Sequence, residues 1–307
     1  MSLTLLLVQI LNGVQLGILL FLVAAGLTLV FGVMDFINLA HGAQYMIGAY
    51  VAASLGVWSG SFWVGLALAL PATLLLGLLL EALVFRHLYG RDHLSQVLAT
   101  FGVLLTLEEG VRALWGSAPL PVLQPEGLAG GVEIMPGLLY PTYRLAVIGA
   151  GLAVALLLWW LVERTRVGML VRAGASNAPM VSALGVDVQR LFTGVFGLGA
   201  MLAGFAGALA GPVFAVAPGM GDGVLILAFV VIVIGGIGSV RGAFLAALLV
   251  GLLDTLGRAA LPDLLRLALD PAAARQAGAA LASMLVYVAM AAILLLRPAG
   301  LFPVRRA

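Results

Sequence analysis

The chain has 307 residues, of which 63% are hydrophobic and only 9% charged, with a formal net charge of +2. Soluble domains average roughly 45–50% apolar and about 25% charged, so an ordinary soluble fold is excluded. Uncharged runs recur over residues 145–162, 191–221, 223–240 and 276–296, and the first 80 residues hold one charged side chain, Asp35. Runs of ~18 or more apolar residues cross a bilayer core as helices. They lack the period-two alternation of membrane β-barrel strands. The expectation is an all-α, polytopic integral membrane helical bundle, a single transmembrane domain over residues 1–307.

In chain order, spans are expected near residues 3–34, 45–57, 62–85, 94–115, 143–162, 191–216, 223–237, 243–260 and 278–296, about 8–9 in all. Residues 35–44 break the first apolar region with Asp35, Asn38, His41 and Gln44. An outer loop over about 116–142 is rich in proline and carries Glu126 and Glu133. A polar loop over about 164–190 separates the fifth and sixth spans. A short amphipathic piece, 262–275, precedes the last span.

Arginine bias orients such a bundle. With residues 164–190 in the cytosol, Arg86, Arg91, Arg164, Arg166, Arg172, Arg190, Arg241, Arg297, Arg305 and Arg306 fall on that side. Arg112, Arg144, Arg258, Arg266 and Arg275 fall on the other. This places the C-terminus in the cytosol. The N-terminus stays open: it is outside if residues 35–42 form a full inter-helix turn, and the count changes by one if they form a break at membrane depth.

Missing residue types narrow the chemistry. Cysteine is absent and all fifteen basic residues are arginine. Disulfides, thiolate nucleophiles, iron–sulfur clusters and the usual structural zinc are excluded. A phosphate loop needs lysine, so the chain cannot be a Walker-type ATPase by itself. His41, His87 and His93 lack a second metal ligand at useful spacing, and no nucleophile–base set is present. No catalytic residue, metal ligand or cofactor is assigned, and no nucleic-acid partner is expected. The Met1 end has no basic n-region or A-x-A site, so no cleaved signal peptide is expected.

Three constellations stand out. In residues 164–190, Asn177 and Pro179 suit a helix start, Gly185 a left-handed stop, and Asp187 the cap of the next span. The result is a two-turn helix on the cytosolic face, exposing apolar residues from Met180, Val181, Ala183 and Leu184. It reads as a docking element for a partner, or as an ordinary interfacial connector. Residues 235–243, GGIGSVRGA, miss the dinucleotide fingerprint because Arg241 replaces the third glycine. They read as a tight cytosolic turn. Asn38, His41 and Gln44 are candidate pathway residues, since polar groups at membrane depth mark a pathway or a satisfied helix break. A plain solvated loop is the alternative. Glu108/Arg112 and Asp254/Arg258 have i,i+4 spacing and read as structural pairs. Gly13-x-x-x-Gly17, Ala200-x-x-x-Gly204 and Gly207-x-x-x-Gly211 allow close helix contact, within a bundle or a dimer.

Taken together, residues 12–17 (NGVQLG), 33–42 (VMDFINLAHG), 45–51 (YMIGAYV), Arg166-Val-Gly168, Arg172-Ala173, Ala183-Leu-Gly-Val186, 235–239 with Gly242-Ala243, and 297–302 (RPAGLF) are familiar. In these the chain resembles the LivH-type permease subunit of bacterial branched-chain amino-acid ABC transporters. The resemblance runs nearly full length, in order. It implies a multi-pass protein of the bacterial inner membrane with a coupling helix in residues 172–187, whose docking residues are Arg172, Asn177, Met180, Val181, Ala183, Leu184 and Gly185. It implies separate ATPase subunits that bind ATP, a second permease chain (LivM-like or another copy), and a periplasmic binding protein that contacts the outer loop. Many relatives carry an acidic residue where this chain has Ala43. The same machine could carry urea or short amides. A secondary transporter or channel acting alone would need charges deep in the spans and inverted repeats.

Overall fold

The computed structural model describes residues 3–122 and 124–302. Arg305 and Arg306 lie outside the described residues. Ten helices run through it: α1 (Leu3–Met34), α2 (His41–Ser59), α3 (Phe62–Leu83), α4 (His93–Trp115), α5 (Thr142–Arg164), α6 (Arg166–Ala183), α7 (Val188–Ala210), α8 (Met220–Gly235), α9 (Val240–Leu265) and α10 (Pro271–Leu296). One antiparallel hairpin, β1 (Gly131–Met135) and β2 (Leu138–Pro141), stands between α4 and α5. The chain is all-α in its body, and six helices are long and apolar enough to cross a membrane: α1, α3, α5, α7, α9 and α10.

Side-chain bonds fix which helix ends lie together. At one end, Trp115 Nε1 donates to Ser54 Oγ at 2.7 Å, Tyr140 OH to Asn12 Oδ1 at 3.1 Å, and Tyr143 OH to the Leu209 carbonyl at 2.8 Å. An isolated bridge joins Leu120 to Val216 there. This end carries the β-hairpin. Toward the other end, residues 35–40 meet the start of α4, and Glu163 of α5 pairs with Arg241 of α9 at 3.4 Å. α1 begins at the hairpin end. α2 starts beside the middle of α1, where His41 bonds the Val23 carbonyl and Gly42 packs on Gly221 of α8, so residues 35–40 are a break within the bundle and not a turn at its end.

α1 is the axis of the bundle. It packs along α9 and α7 and also touches α5 and α8, while α2 and α3 pack on α7 and on each other. α10 covers α9. Its buried residues, Ala274, Gly278, Ala282 and Val286, repeat every four positions, as one helix stripe must. Its other face exposes Leu281, Met284, Val288 and Leu295. Such a face suits hydrocarbon.

Hydrocarbon gives no hydrophobic reason for helices to associate, so close van der Waals contact between small residues does the work. Gly207 of α7 sits so tightly on α2 that an added Cβ would lie 1.9 Å from the Tyr45 carbonyl oxygen. The Gly13-x-x-x-Gly17 face meets α9 around Gly251. The small-residue motifs thus pack within the bundle. Residues 235–243 form the expected tight turn: a Cβ on Gly242 would fall 2.1 Å from the Gly235 carbonyl oxygen. The terminal RPAGLF segment closes over it, with Leu301 and Phe302 N–H groups donating to the Ile234 and Gly235 carbonyls at 2.8 and 3.0 Å.

Several expected boundaries move. The second span begins at His41, so His41 and Gln44 belong to its first turn. The sixth ends at Ala210, because residues 211–216 turn to form the bridge to Leu120. Residues 262–275 are no separate helix: α9 continues to Leu265 and α10 starts at Pro271, capped by Asp270, whose Oδ1 accepts from the Ala272 and Ala273 N–H groups. The outer loop holds the β-hairpin, whose Gly137 N–H donates to Glu133 Oε1 at 2.7 Å. Glu108 does not pair with Arg112. It is buried and turns toward Asp222 at the start of α8, while Arg112 bonds the exposed Glu109. Asp254 and Arg258 do pair, at 2.8 Å.

Gly207→Ala is expected to lower stability by about 1–3 kcal/mol, the usual cost of overpacking. Gly149→Ala, where nothing lies within 4 Å of the new Cβ, is expected to be neutral or stabilising. Thermal unfolding of the two variants in detergent separates them.

Candidate functional site

The site has two parts, one buried within the bundle and one at its α6 end. The first is the break between α1 and α2. Asp35 ends α1 in a left-handed conformation, φ 51°, while its N–H still donates to the Phe31 carbonyl at 2.9 Å. Aspartate tolerates this region better than most residues. The following backbone has no helical partners, and α4 replaces them. Gln96 Oε1 accepts from the Ile37 N–H and Thr100 Oγ1 from the Leu39 N–H, both at 3.2 Å. Gln96 is itself held, its Nε2 donating to the Leu88 and Arg91 carbonyls at 3.3 and 3.1 Å. The N-cap of α4 anchors this clasp. Asp92 accepts from the Ser95 hydroxyl at 2.7 Å and backbone N–H at 3.1 Å, which hold its carboxyl below the usual range.

Asn38, His41 and Gln44 come together here, all fully buried. His41 Nε2 donates to the Val23 carbonyl of α1 at 3.0 Å, and Nδ1 pairs with the Gln44 amide at 3.0 Å. Asn38 differs. Among the described residues neither of its amide atoms has a hydrogen-bond partner. One amide atom of Gln44 and the Thr28 hydroxyl on α1 are also buried and unpartnered. Leaving a buried polar group unpaired costs about 1–3 kcal/mol, so such a group calls for a functional reason. Ala43, in the position where the family resemblance puts an acid, is buried apolar surface.

An ionic knot braces the break, and the sequence gives only a faint hint of it. Glu81 of α3 is fully buried and accepts from Arg86 at 2.9 Å, Tyr89 OH at 3.1 Å and Thr193 Oγ1 of α7 at 2.9 Å. Three donors offset the cost of burying the carboxylate. Phe36, from the break, stacks on Phe85, Tyr89 and Phe196 with centroids 5.5, 5.4 and 6.5 Å away. Arg86, five residues beyond Glu81, was the visible signal. Tyr89 and Thr193 carried none.

The second part is α6. Thr165 caps it, accepting from the Gly168 N–H at 3.1 Å. Asn177 has non-helical angles, φ −154° and ψ 85°, and splits α6 in two. Its Oδ1 accepts from the Met180 N–H at 2.9 Å, so it caps the second segment, which ends at Gly185 with φ 86°. Asp187 caps α7 through the Arg190 N–H at 3.0 Å. Met180 and Leu184 are 58% and 77% exposed, and Ala183 is exposed beside them. Val181 is only 6% exposed. Expected on the open face, it points inward instead, because one turn of helix between Met180 and Leu184 cannot present every neighbour to the same side. Arg172 lies before the kink, apart from Met180 and Leu184.

The chain matches the family described as branched-chain amino acid transport system / permease component over residues 9–296. It belongs to that family. It is 31% identical to the high-affinity branched-chain amino acid transport system permease protein BraD of Pseudomonas aeruginosa over 81% of this chain and 85% of the relative. It is 32% identical to LivH of Salmonella typhimurium over 82% and 85%. A probable LivH of Methanocaldococcus jannaschii is 27% identical over 78% and 76%. No solved structure matches. The chain is thus a multi-pass transport permease, and its two-part site is read in that light.

Gln96→Leu is expected to cost about 1–3 kcal/mol, because it strands the Ile37 N–H and removes two bonds to the preceding turn. The measurement is the midpoint of thermal unfolding in detergent. An unchanged midpoint would mean that α4 does not hold the break.

Proposed function

We propose that the chain is the membrane permease of an ABC importer for branched-chain or other apolar amino acids. A periplasmic binding protein delivers substrate to the hairpin end. Separate ATPase subunits dock at the α6 end, and a second permease chain completes the pathway. Nine helices, all but α6, lie in the bacterial inner membrane, with the N-terminus outside and the C-terminus in the cytosol. The observation that carries this reading is the second segment of α6, capped at Asn177, stopped at Gly185, and presenting Met180 and Leu184 outward. A short apolar ridge held by caps at both ends makes a rigid tooth for a partner's cleft. Arg86, Arg164, Arg166 and Arg190 surround that end of the bundle, which supports its cytosolic placement.

Asn38, His41 and Gln44 are assigned to passage. Closure of ATP-bound subunits would push the α6 tooth, and the push would open the break where Asn38 is unsatisfied. A substrate amine or carboxylate can then take the bonds that the folded chain leaves unmade.

Two experiments test the two halves. Co-purification with the transporter's ATPase subunits is expected for the native chain and lost for Met180→Asp/Leu184→Asp. Retention in a variant that stays monodisperse would overturn the docking assignment. Asn38→Leu is expected to hold or raise thermal stability, since it removes an unpaired amide. ATP-driven leucine uptake in vesicles is expected to fall about tenfold, the scale of one lost hydrogen bond of ~1.4 kcal/mol. Uptake that survives would remove Asn38 from the pathway.

A further inference from the structure

A groove of about 800 Å³ opens on the side of the bundle near the α6 end. Its walls are apolar: Phe21 of α1, Leu152 and Leu156 of α5, and Phe244 of α9. Phe21 is buried at the floor, while the α5 wall is open, with Leu152 and Leu156 42% and 68% exposed. At the rim the lining turns polar, with Arg172 and Ser176 from α6 and Ser239 and Arg241 from the α8–α9 turn and the start of α9. Trp159 lies at the boundary, with the Arg164 guanidinium 5.7 Å from its ring centre. Aromatic rings with an arginine beside them mark the headgroup level of a bilayer.

The charge balance at the rim is uneven. Arg241 faces Glu163 at 3.4 Å. Arg172 has no hydrogen-bond or ion-pair partner among the described residues. Two arginines and one carboxylate leave one net positive charge beside an apolar trough at bilayer depth. The volume lies within the range of small-molecule sites, about 300–1,000 Å³.

The geometry points to this groove as a binding site for an anionic phospholipid of the cytosolic leaflet, with its phosphate between Arg172 and Arg241 and an acyl chain along α1, α5 and α9. A soluble anion would neutralise the rim and leave the walls uncovered. A hydrocarbon alone would cover the walls and leave Arg172 unpaired. A lipid does both. The Ser176 and Ser239 hydroxyls add donors for the phosphate oxygens. A zwitterionic headgroup brings its own cation into a site that is already net positive, so an anionic one binds better. The lipid would bridge α6 to α9 and steady the first segment of α6. The inference rests on the α6 end facing the cytosol, but not on any ATPase or substrate.

The test uses Trp159 as the reporter. The full-length chain carrying Trp58→Phe, Trp63→Phe, Trp115→Phe and Trp160→Phe is reconstituted in phosphatidylcholine vesicles. Phosphatidylglycerol or phosphatidylcholine with dibrominated acyl chains is added at increasing mole fraction. Half-quenching is expected at about fivefold lower mole fraction of the brominated phosphatidylglycerol, the scale of one uncompensated arginine near an anionic headgroup. In Arg172→Gln/Arg241→Gln the two lipids are expected to quench alike. Equal quenching by both lipids in the arginine-bearing protein overturns the proposal, and that comparison needs no arginine variant to fold. A preference that persists without the arginines also overturns it. So does the absence of quenching by either lipid, which would mean that protein fills the groove.

Discussion

The bundle depends on how one interruption of its backbone is satisfied. Hydrocarbon offers no hydrogen bonds, so a chain that leaves the helix inside a membrane protein must find partners within the protein. Between Met34 and His41 it finds them on α4, where Gln96 and Thr100 stand one helical turn apart and accept from Ile37 and Leu39. That spacing explains why α2 and α4 run in the same direction, joined again at their far ends by the Trp115–Ser54 bond. It also explains why α2 can start with polar residues. His41 reaches back to the Val23 carbonyl, which ties the start of α2 to the middle of α1.

The break and the α6 tooth are physically continuous. α7 begins at Asp187, immediately after the tooth, and Thr193 on its second turn donates to Glu81. Glu81 holds Arg86 and Tyr89, and Tyr89 and Phe85 stack on Phe36 in the break. Asn38 lies two residues further on. The path contains charge-assisted bonds and packed rings, and its one long side chain, Glu81, is held by three donors. Interiors packed this densely respond by switching arrangement, not by gradual deformation.

Local chemistry was readable from the residues and long-range chemistry was not. The caps at Asn177, Gly185 and Asp187 involve groups three residues apart or less, and the sequence alone located them. So did the glycine turn at 235–243, because only glycine permits that approach. The Gln96 clasp joins residues 59 apart and the Thr193–Glu81 bond residues 112 apart, and no pattern within a span announces either. Val181 was misplaced for a related reason. A ridge of four apolar residues says that a short helix is amphipathic, but its rotation is set by what packs beneath it. The Glu108/Arg112 spacing failed likewise: i,i+4 geometry permits a pair, while the neighbouring α8 start draws Glu108 inward.

The kink at Asn177 reconciles the two demands placed on α6. Ahead of it, Arg172 and Ser176 line the membrane-side groove; beyond it, Met180 and Leu184 face away. A straight helix would keep one stripe in line along its length and could not turn Arg172 to the groove and Met180 and Leu184 away from it. Asparagine at the kink supplies both the non-helical angles and the cap that restarts the helix. Pro179 needs no N–H of its own in the first turn of the new segment. The segment is therefore held at a set angle to the first half of α6 by the residues that break it, and only Gly185, Val186 and Asp187 separate Leu184 from α7.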